Sequence, residues 1–173
     1  MSSQKKIAML VGNDFEDMEV MYPLYRLIEA GFAVDVIGEG PAGTKYLGKH
    51  GYPIASTLEM AKAKSSAYAG LVAPGGWAPD RLRRNPKVLK LVSDIDRQGG
   101  VIASICHGPW ILISAGIVKG KKMTSTPALK DDLVNAGAKW SDREVLVDGK
   151  MVTSRKPDDL PAFMRAMLKL LGD

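Results

Sequence analysis

The sequence predicts an α/β fold, in which a mostly parallel sheet is covered by helices on both faces. Short apolar runs alternate with helical patterns along all 173 residues. Most of the apolar runs are nearly continuous, as in strands that are buried on both sides. No repeat, low-complexity tract or linker interrupts the alternation, so residues 1–173 are expected to form a single domain.

Seven segments are predicted to be strands. The Asp148-Gly149 dipeptide lies between the last two and predicts a hairpin. A second, smaller hairpin is expected around residues 46–54, where two glycines and a proline interrupt the pattern. The predicted strands are Ile7–Val11, Ala33–Ile37, Gly70–Ala73, Val101–Ile105, Lys122–Ser125, Glu144–Val147 and Met151–Ser154.

Helices are predicted between these strands. Asn85 can cap and Pro86 can open a helix whose apolar side chains recur at helical spacing. Pro23 falls inside the first predicted helix, Glu16–Ala30, and predicts a kink or a short first turn there. The C-terminal helix carries an apolar stripe whose methionines are best explained as core packing, not as ligands. The stripe consists of Leu160, Phe163, Met164, Met167, Leu168 and Leu171.

The composition predicts a cytoplasmic protein without a membrane anchor. The longest apolar stretch is far short of the roughly 20 residues of a membrane span, and the run after Lys6 is too short for a signal peptide. The net charge of +5 is too small to indicate nucleic-acid binding. A single cysteine excludes an intrachain disulfide and any metal site built from several cysteines.

The segment 101–110 is the most informative part of the chain. The predicted buried strand Val101–Ile105 leads into Cys106, and Pro109 suits the first turn of a following helix. This arrangement is typical of a nucleophile elbow, which exposes a side chain at the carboxyl edge of a sheet. The unpaired N–H groups and the dipole of a helix start favour a thiolate. An inert buried cysteine is the alternative, but the position at a strand end favours a nucleophile.

A second loop is expected at the same edge of the sheet. The strand Gly70–Ala73 ends in a Pro-Gly-Gly turn, and glycine N–H groups can approach a substrate closely. Together with the N–H of His107, the N–H groups of Gly75 and Gly76 are candidates for an oxyanion hole. An ordinary turn without a chemical role is the alternative.

Four acidic residues follow the first strand and reach the same edge: Asp14, Glu16, Asp17 and Glu19. Most are expected to be solvated acids at a helix start. One that faced a thiolate would have a raised pKa, would keep its proton and could hydrogen-bond the sulfur. Spacing alone does not decide which of the four does so.

Only two histidines are available as partners for the cysteine. His107 is the better candidate, because the elbow holds it next to Cys106. His50 lies in a predicted loop between Lys49 and Gly51 and is expected at the surface. A dyad of Cys106 and His107 is therefore the arrangement that the sequence favours.

Five short motifs resemble signatures of the PfpI family, the intracellular-protease-like branch of the ThiJ/PfpI superfamily, which is similar to class I glutamine amidotransferase domains. The resemblance extends from Ile7 to Leu171. It implies a flavodoxin-like three-layer sandwich with a small added hairpin. The motifs are Asn13–Asp17, Ala73–Gly76 with Ala78–Asp80, Ala103–Pro109, Asp131–Gly137 and Thr153–Arg155.

The resemblance also implies roles for individual residues. It places Cys106 on a strained elbow, and Glu16 matches the carboxyl that hydrogen-bonds the cysteine sulfur. His107 matches the histidine of the family's proposed triad. Asp80 matches a Glu that reaches this histidine from a neighbouring subunit in some members, although Asp is one methylene shorter. Trp110 stands where many members have Gln. Members form dimers or hexamers, so a homo-oligomer is expected.

Three functions follow, and none needs an external cofactor. The first is a stress-protective enzyme of the glyoxalase or deglycase kind, in which Cys106 adds to a reactive aldehyde and forms a hemithioacetal. The second is an intracellular cysteine peptidase that uses Cys106, His107 and Asp80 across a subunit interface. The third is a redox-sensing chaperone in which Glu16 stabilises an oxidised Cys106. The expected ligands are thus a small aldehyde, a glycated amine or a peptide.

Overall fold

A seven-stranded sheet forms the centre of the computed structural model, which describes residues 6–172. The strands are β1 (Lys6–Leu10), β2 (Val34–Gly38), β3 (Lys45–Leu47), β4 (Pro53–Ala55), β5 (Leu58–Glu59), β6 (Tyr68–Ala73), β7 (Val101–Ile105), β8 (Lys122–Met123), β9 (Lys139–Trp140), β10 (Val145–Asp148) and β11 (Met151–Ser154). The helices are α1 (Asp17–Glu29), α2 (Ala78–Leu82), α3 (Pro86–Arg97), α4 (Pro109–Ser114), α5 (Lys130–Asn135) and α6 (Leu160–Leu171).

The strand order in the central sheet is β10-β11-β7-β6-β1-β2-β5. Every neighbouring pair is parallel except β10 and β11, which form an antiparallel hairpin at one edge. Two small two-stranded sheets, β3 with β4 and β8 with β9, lie outside it. The predicted α/β, flavodoxin-like architecture with its mostly parallel sheet is confirmed.

Both predicted hairpins are present, and one differs by a residue. Asp148 pairs with Met151, so the two-residue turn is Gly149-Lys150 and not the expected Asp148-Gly149. Gly149 takes the positive φ of 62° that such a turn requires. The second hairpin is β3–β4, and its connection spans residues 48–52.

Helices cover both faces of the sheet. The chain passes from β1 through α1 to β2 on one side of β1, and from β6 through α3 to β7 on the other side. Because such crossovers are right-handed, the two helices lie on opposite faces. Consistently, α1 packs with α6, whereas α2 and α3 pack with α4.

The core fills the space between these layers. The predicted stripe of α6 is buried except for a partly exposed Leu171, and Met164 and Met167 are fully enclosed, as core packing requires. Asn85 caps α3 as predicted, with its side chain accepting the N–H of Lys87 at 3.0 Å. Helix α1 continues from Asp17 to Glu29 with Pro23 buried inside it, so the expected separate first turn is not found. Within residues 6–172 no helix combines the length and apolar character that crossing a membrane requires.

The sheet brings three segments of interest to one edge. Strands β6, β1 and β7 are central, and their carboxyl ends lead into residues 74–77, 11–16 and 106–108. After β1 the chain continues to β2 on one side, and after β6 it continues to β7 on the other side. The topological switch point of the sheet therefore lies between β1 and β6. In open parallel sheets such a point forms the crevice where ligands bind.

Candidate active site

Cys106 sits on a strained turn between β7 and α4. Its φ is +60°, and Asp14 is the only other non-glycine residue with a positive φ within residues 6–172. The Cys106 N–H donates to the Ser154 carbonyl at 3.2 Å, and its own carbonyl accepts the N–H of Thr126 at 3.2 Å. A non-glycine residue in this region costs about 1–3 kcal/mol. These two backbone hydrogen bonds therefore help to hold the cysteine in the predicted elbow.

Two glycines let the chain pass close to this elbow. A Cβ added at Gly108 would collide with the Ala73 carbonyl oxygen. A Cβ added at Gly75 would lie 2.7 Å from the Cys106 Cβ and 2.6 Å from Glu19 Oε2. The loop after β6 and the elbow after β7 thus lie in direct contact.

The sulfur of Cys106 receives hydrogen-bond donors from two sides. The N–H groups of Gly76 and His107 both point at it, and His107 Nδ1 lies 3.2 Å from Sγ. Burial raises the pKa of the thiol to about 12, with the charge of Glu19 acting in the same direction and the two N–H groups opposing it. These donors are placed to stabilise negative charge on the sulfur once a proton has left.

Glu19 is the carboxyl that neighbours this sulfur. Its side chain is fully buried on α1, and Oε2 accepts the N–H of Gly75 at 2.7 Å. Oε1 is buried and meets no N–H or O–H donor within residues 6–172. Burial raises the pKa of Glu19 to about 8, against the lowering effect of the Gly75 N–H and of Cys106. Glu19 and Cys106 therefore titrate as one coupled pair that keeps a proton well above neutral pH.

The structure places Glu19, not the expected Glu16, against Cys106. Glu16 precedes the first turn of α1, and its carboxylate turns to Lys49 Nζ at 2.5 Å. Glu19 lies in register with Pro23 and Leu27, the buried stripe of α1, which points at the sheet. A charged residue at an apolar position of a helical stripe is a signal in the sequence, and it could have identified Glu19.

The N–H of Gly75 does not have the predicted role in an oxyanion hole. Its N–H is bound to Glu19, so it is not free to join an oxyanion hole. The two N–H groups that converge on the sulfur belong to Gly76 and His107. Gly76 has a φ of +77°, and a Cβ there would collide with the backbone of the segment Asp14–Glu16, so only glycine fits.

His107 lies against the rings of two tryptophans. The centroid of its ring lies 5.6 Å from that of Trp77 and 5.1 Å from that of Trp110. Burial lowers the pKa of His107, and the positive charge of Lys49 adds to this effect. A neutral imidazole beside the sulfur can accept a proton. Trp110 is fixed by its Nε1–H, which donates to Asp132 at 2.7 Å.

Asp80 does not meet His107 within the chain. It lies on α2, its side chain is 59% exposed, and its carboxylate is 3.4 Å from Arg84. The role that the resemblance implied for Asp80 requires a second subunit, and it stays a prediction.

The loop 48–52 covers the start of α1. Both carboxylate oxygens of Asp17 accept N–H groups from it, from His50 at 3.0 Å and from Tyr52 at 2.9 Å. Burial would raise the pKa of Asp17, but these donors outweigh it and lower the pKa. His50 is exposed, as predicted, and its Nε2 lies 3.8 Å from Glu16. Lys49 was not among the predicted site residues, because a single loop lysine carries no pattern.

Glu16, Asp17 and His50 form a cluster whose ligand-type atoms lie within 4.8 Å of one another. Both Asp17 oxygens already accept N–H groups, and Glu16 is paired with Lys49. Both carboxylates are therefore already engaged by groups of the protein, which accounts for their close approach.

Comparisons with known proteins show to which family the chain belongs. The model of the DJ-1/PfpI family matches residues 5–170. The chain belongs to the DJ-1/PfpI family. It is 48% identical over 166 residues to "Deglycase PH1704" of Pyrococcus horikoshii, covering 96% of this chain and 99% of that protein. It is also 40% identical to the "Putative cysteine protease YraA" of Bacillus subtilis, covering 96% and 98% of the two chains.

A solved structure with a similar domain confirms the fold. A two-domain protein from Anabaena variabilis, with DJ-1/ThiJ/PfpI-like and ferritin-like domains, superposes with a TM-score of 0.94 at 40% identity. The match covers 97% of this chain but only 48% of that longer one. The names deglycase and cysteine protease among relatives indicate that the family includes enzymes.

Proposed function

We propose that this DJ-1/PfpI protein is a cysteine-dependent enzyme that acts on reactive carbonyls, as a glyoxalase or deglycase. The observation that carries the proposal is the convergence of the Gly76 and His107 N–H groups on the Cys106 sulfur beside the buried Glu19. Relatives named deglycase support the same reaction class.

In the first step the sulfur of Cys106 attacks the aldehyde carbon of an α-oxoaldehyde such as methylglyoxal. A C–S bond forms, the C=O π electrons move to oxygen, and the oxygen takes the proton that the Glu19–Cys106 pair holds. The product is a hemithioacetal. The N–H groups of Gly76 and His107, which contact the sulfur in the free protein, lie next to the developing oxyanion.

In the second step a base removes the proton from the carbon that bears the sulfur, and the same base returns it to the neighbouring carbonyl carbon. The hydroxyl proton of the hemithioacetal moves to the oxygen of that carbonyl, and the C–O bond on the sulfur-bearing carbon becomes the C=O of the thioester. His107 is the best placed base, because its Nδ1 lies 3.2 Å from Sγ and its lowered pKa keeps the imidazole neutral. The result is a thioester of a 2-hydroxy acid. Water then cleaves the C–S bond, which yields the hydroxy acid and restores the thiol.

An early adduct of the aldehyde with an amine reaches the same intermediate. The sulfur displaces the amine from the aldehyde-derived carbon, the C–N bond breaks, and the amine leaves with a proton. The remaining steps are unchanged. Glyoxalase and deglycase activity therefore need the same groups, and they differ only in what the carbonyl carbon carries.

The test is the formation of lactate from methylglyoxal by the purified protein. Cys106→Ser is expected to abolish it, and Glu19→Gln is expected to reduce the rate by about 10²–10⁴-fold, the range for a group that transfers protons. Glu29→Gln is the matched control, since Glu29 is exposed on the same helix and pairs with Arg26. It is expected to retain the full rate.

Lactate formation that survives Cys106→Ser would overturn the proposal. A fluorogenic peptide assay on the same preparations addresses peptide hydrolysis, which would need an acid to orient His107. Within the chain Asp80 is paired with Arg84 instead. Peptide cleavage that depends on Cys106 in the absence of lactate formation would favour the peptidase over the carbonyl enzyme.

A further inference from the structure

A row of charged side chains leads from the surface to the Cys106 sulfur. Lys49, on the loop 48–52, contacts Glu16 at 2.5 Å. Glu16 and Glu19 are three residues apart at the start of α1, and both are buried. Glu19 in turn meets Gly75, which lies against Cys106. Starting from the ammonium group of Lys49, the two carboxyl groups of Glu16 and Glu19 and the Cys106 thiol thus follow one another in space.

In this arrangement the charge of Glu16 affects the ionisation of the Glu19–Cys106 pair, and the charge of Lys49 can offset it. Glu16 is an anion close to the Glu19–Cys106 pair, and it disfavours a second negative charge there. The ammonium of Lys49 cancels this effect, and its field also reaches Cys106 and Glu19 directly. Without it, the pair would have to release its proton against an unneutralised carboxylate.

We propose that Lys49 is a positioning residue for the Cys106–Glu19 pair: by neutralising Glu16 it allows the pair to carry a negative charge at a lower pH than it could beside an unpaired carboxylate. The inference deepens the proposed function, because it assumes that Cys106 reacts after the pair has lost a proton. Lys49 acts through its charge, chiefly by neutralising Glu16, and does not itself contact the reacting atoms.

The fold holds Lys49 for this role. Its loop is fixed to α1 by the two N–H groups that Asp17 accepts, and the Lys49 N–H donates to the Phe15 carbonyl at 2.9 Å. A Cβ added at Gly48 would collide with the Asp17 carboxylate, so the loop lies directly on this helix start. The loop therefore holds the Lys49 ammonium in a fixed position beside Glu16.

Other ionisable groups face the pair as well. These are Glu16 just before α1, Asp17 on α1, Lys49 and His50 on the loop 48–52, and His107 on the elbow. Asp17 is occupied by its two backbone donors, and the His50 side chain is 67% exposed. All three of Asp17, His50 and His107 stay unchanged in the variants below, so only the charges of Lys49 and Glu16 differ.

The experiment measures the alkylation of Cys106 by iodoacetamide from pH 6 to 10, a reaction that needs no substrate. This interval spans the pKa of about 8 at which the coupled Glu19–Cys106 pair loses its first proton. The sulfur forms a bond to carbon, and iodide leaves. Lys49→Met is expected to move the midpoint of the pH profile upward by about one unit, so that alkylation at pH 7 slows about tenfold. Lys49→Arg is expected to restore the original profile.

A double variant separates charge from structure. Lys49→Met with Glu16→Gln removes both charges and leaves no unpaired carboxylate at position 16, so its midpoint is expected to return towards that of the unaltered protein. Lys62→Met is the matched control, because Lys62 is exposed and pairs with Glu59, three residues before it in the chain. It is expected to change nothing.

A Lys49→Met profile that coincides with the unaltered one would overturn the inference, as would a double variant that is shifted as far as Lys49→Met. Either result would leave lactate formation by the unaltered protein untouched. Absence of lactate formation with a shifted alkylation profile would instead contradict the proposed reaction and leave the role of Lys49 standing. The two failures are therefore distinguishable.

Discussion

Gly75 donates its backbone N–H to Glu19 Oε2 at 2.7 Å, and the same residue lies against the elbow that carries Cys106. The contact ties the loop after β6 to α1 at a point where no side chain fits. It occupies one oxygen of the buried carboxyl, while the other, Oε1, has no N–H or O–H partner within residues 6–172. A glycine in the backbone thus fixes the carboxyl beside the reactive sulfur.

A methyl group at this position should push the loop after β6 and the Glu19 carboxyl apart. In Gly75→Ala the new Cβ would lie 2.6 Å from Glu19 Oε2, closer than real Cβ contacts allow, so the loop or the carboxyl must move. We expect lactate formation to fall at least 100-fold, in line with the cost of displacing catalytic groups by about 1 Å. Kinetics with methylglyoxal provide the measurement.

Gly12→Ala is the matched control for this prediction. A Cβ at Gly12 would meet its nearest neighbour, the Ala78 Cβ, at an ordinary 3.5 Å. We expect this variant to keep its activity within a few-fold. Equal losses in the two variants would show that the close contact at Gly75 does not matter for the site.

The buried Glu19 should also make the protein less stable as the pH rises. The unfolded chain loses this proton at the ordinary glutamate pKa of 4.5, whereas the folded protein keeps it up to about 8. Between these values the folded state binds more protons, so the free energy of unfolding falls with pH by up to about 1.4 kcal/mol per unit. Urea unfolding at intervals between pH 6 and 8 measures this slope.

Glu19→Gln removes the ionisable group and should flatten the curve over the same interval. Its free energy of unfolding is expected to change less between pH 6 and 8 than that of the unaltered protein. An identical slope in the two proteins would mean that Glu19 does not keep its proton in the folded state.

The fold could be predicted because its signals are local and repeated. Continuous apolar runs identify the central strands, and the strict spacing in α6 identifies its buried face. The two-residue strands β5 and β9 carry too few residues for any pattern, and their formation depends on neighbours distant in sequence. The turn at Gly149-Lys150 shows that the pairing register of the two strands, and not the dipeptide alone, decides which residues form the turn of a hairpin.

The site was predictable only in part, for a similar reason. Cys106 and His107 are identified by the strand that precedes them and the helix that follows. The choice between Glu16 and Glu19 depends on where α1 begins and which way it faces, and this is set by packing against the sheet. Lys49 reaches the site from a loop more than 50 residues away from Cys106 in the sequence, and no local pattern records that approach.

The strain at Cys106 predicts a stability difference between two inactive variants. At a φ of +60°, alanine carries the same steric penalty as cysteine, whereas glycine carries none. We therefore expect Cys106→Gly to be more stable than Cys106→Ala by about 1 kcal/mol. Chemical unfolding of the two variants measures the difference. A glycine variant that is no more stable than the alanine variant would show that the elbow stores no strain.

The final prediction concerns the attachment of the loop 48–52 to α1. Asp17→Asn leaves one amide oxygen where two carboxylate oxygens now accept N–H groups from His50 and Tyr52. One backbone donor then loses its partner, at a cost of about 1–3 kcal/mol. Because the pKa of Asp17 is lowered in the folded protein, its stabilising effect is present above the unfolded pKa and disappears as the pH falls through the folded one.

Hydrogen exchange and urea unfolding together test this attachment. The amides of His50 and Tyr52 should exchange faster in Asp17→Asn at neutral pH, and the stability gap to the unaltered protein should close in acid, where Asp17 is protonated. Asp94→Asn is the control, since Asp94 pairs with Lys90 and Arg97 on the surface of α3, and exposed pairs of this kind contribute little to stability. If the two variants lose the same stability and the loop amides keep their exchange rates, Asp17 does not anchor the loop that carries Lys49.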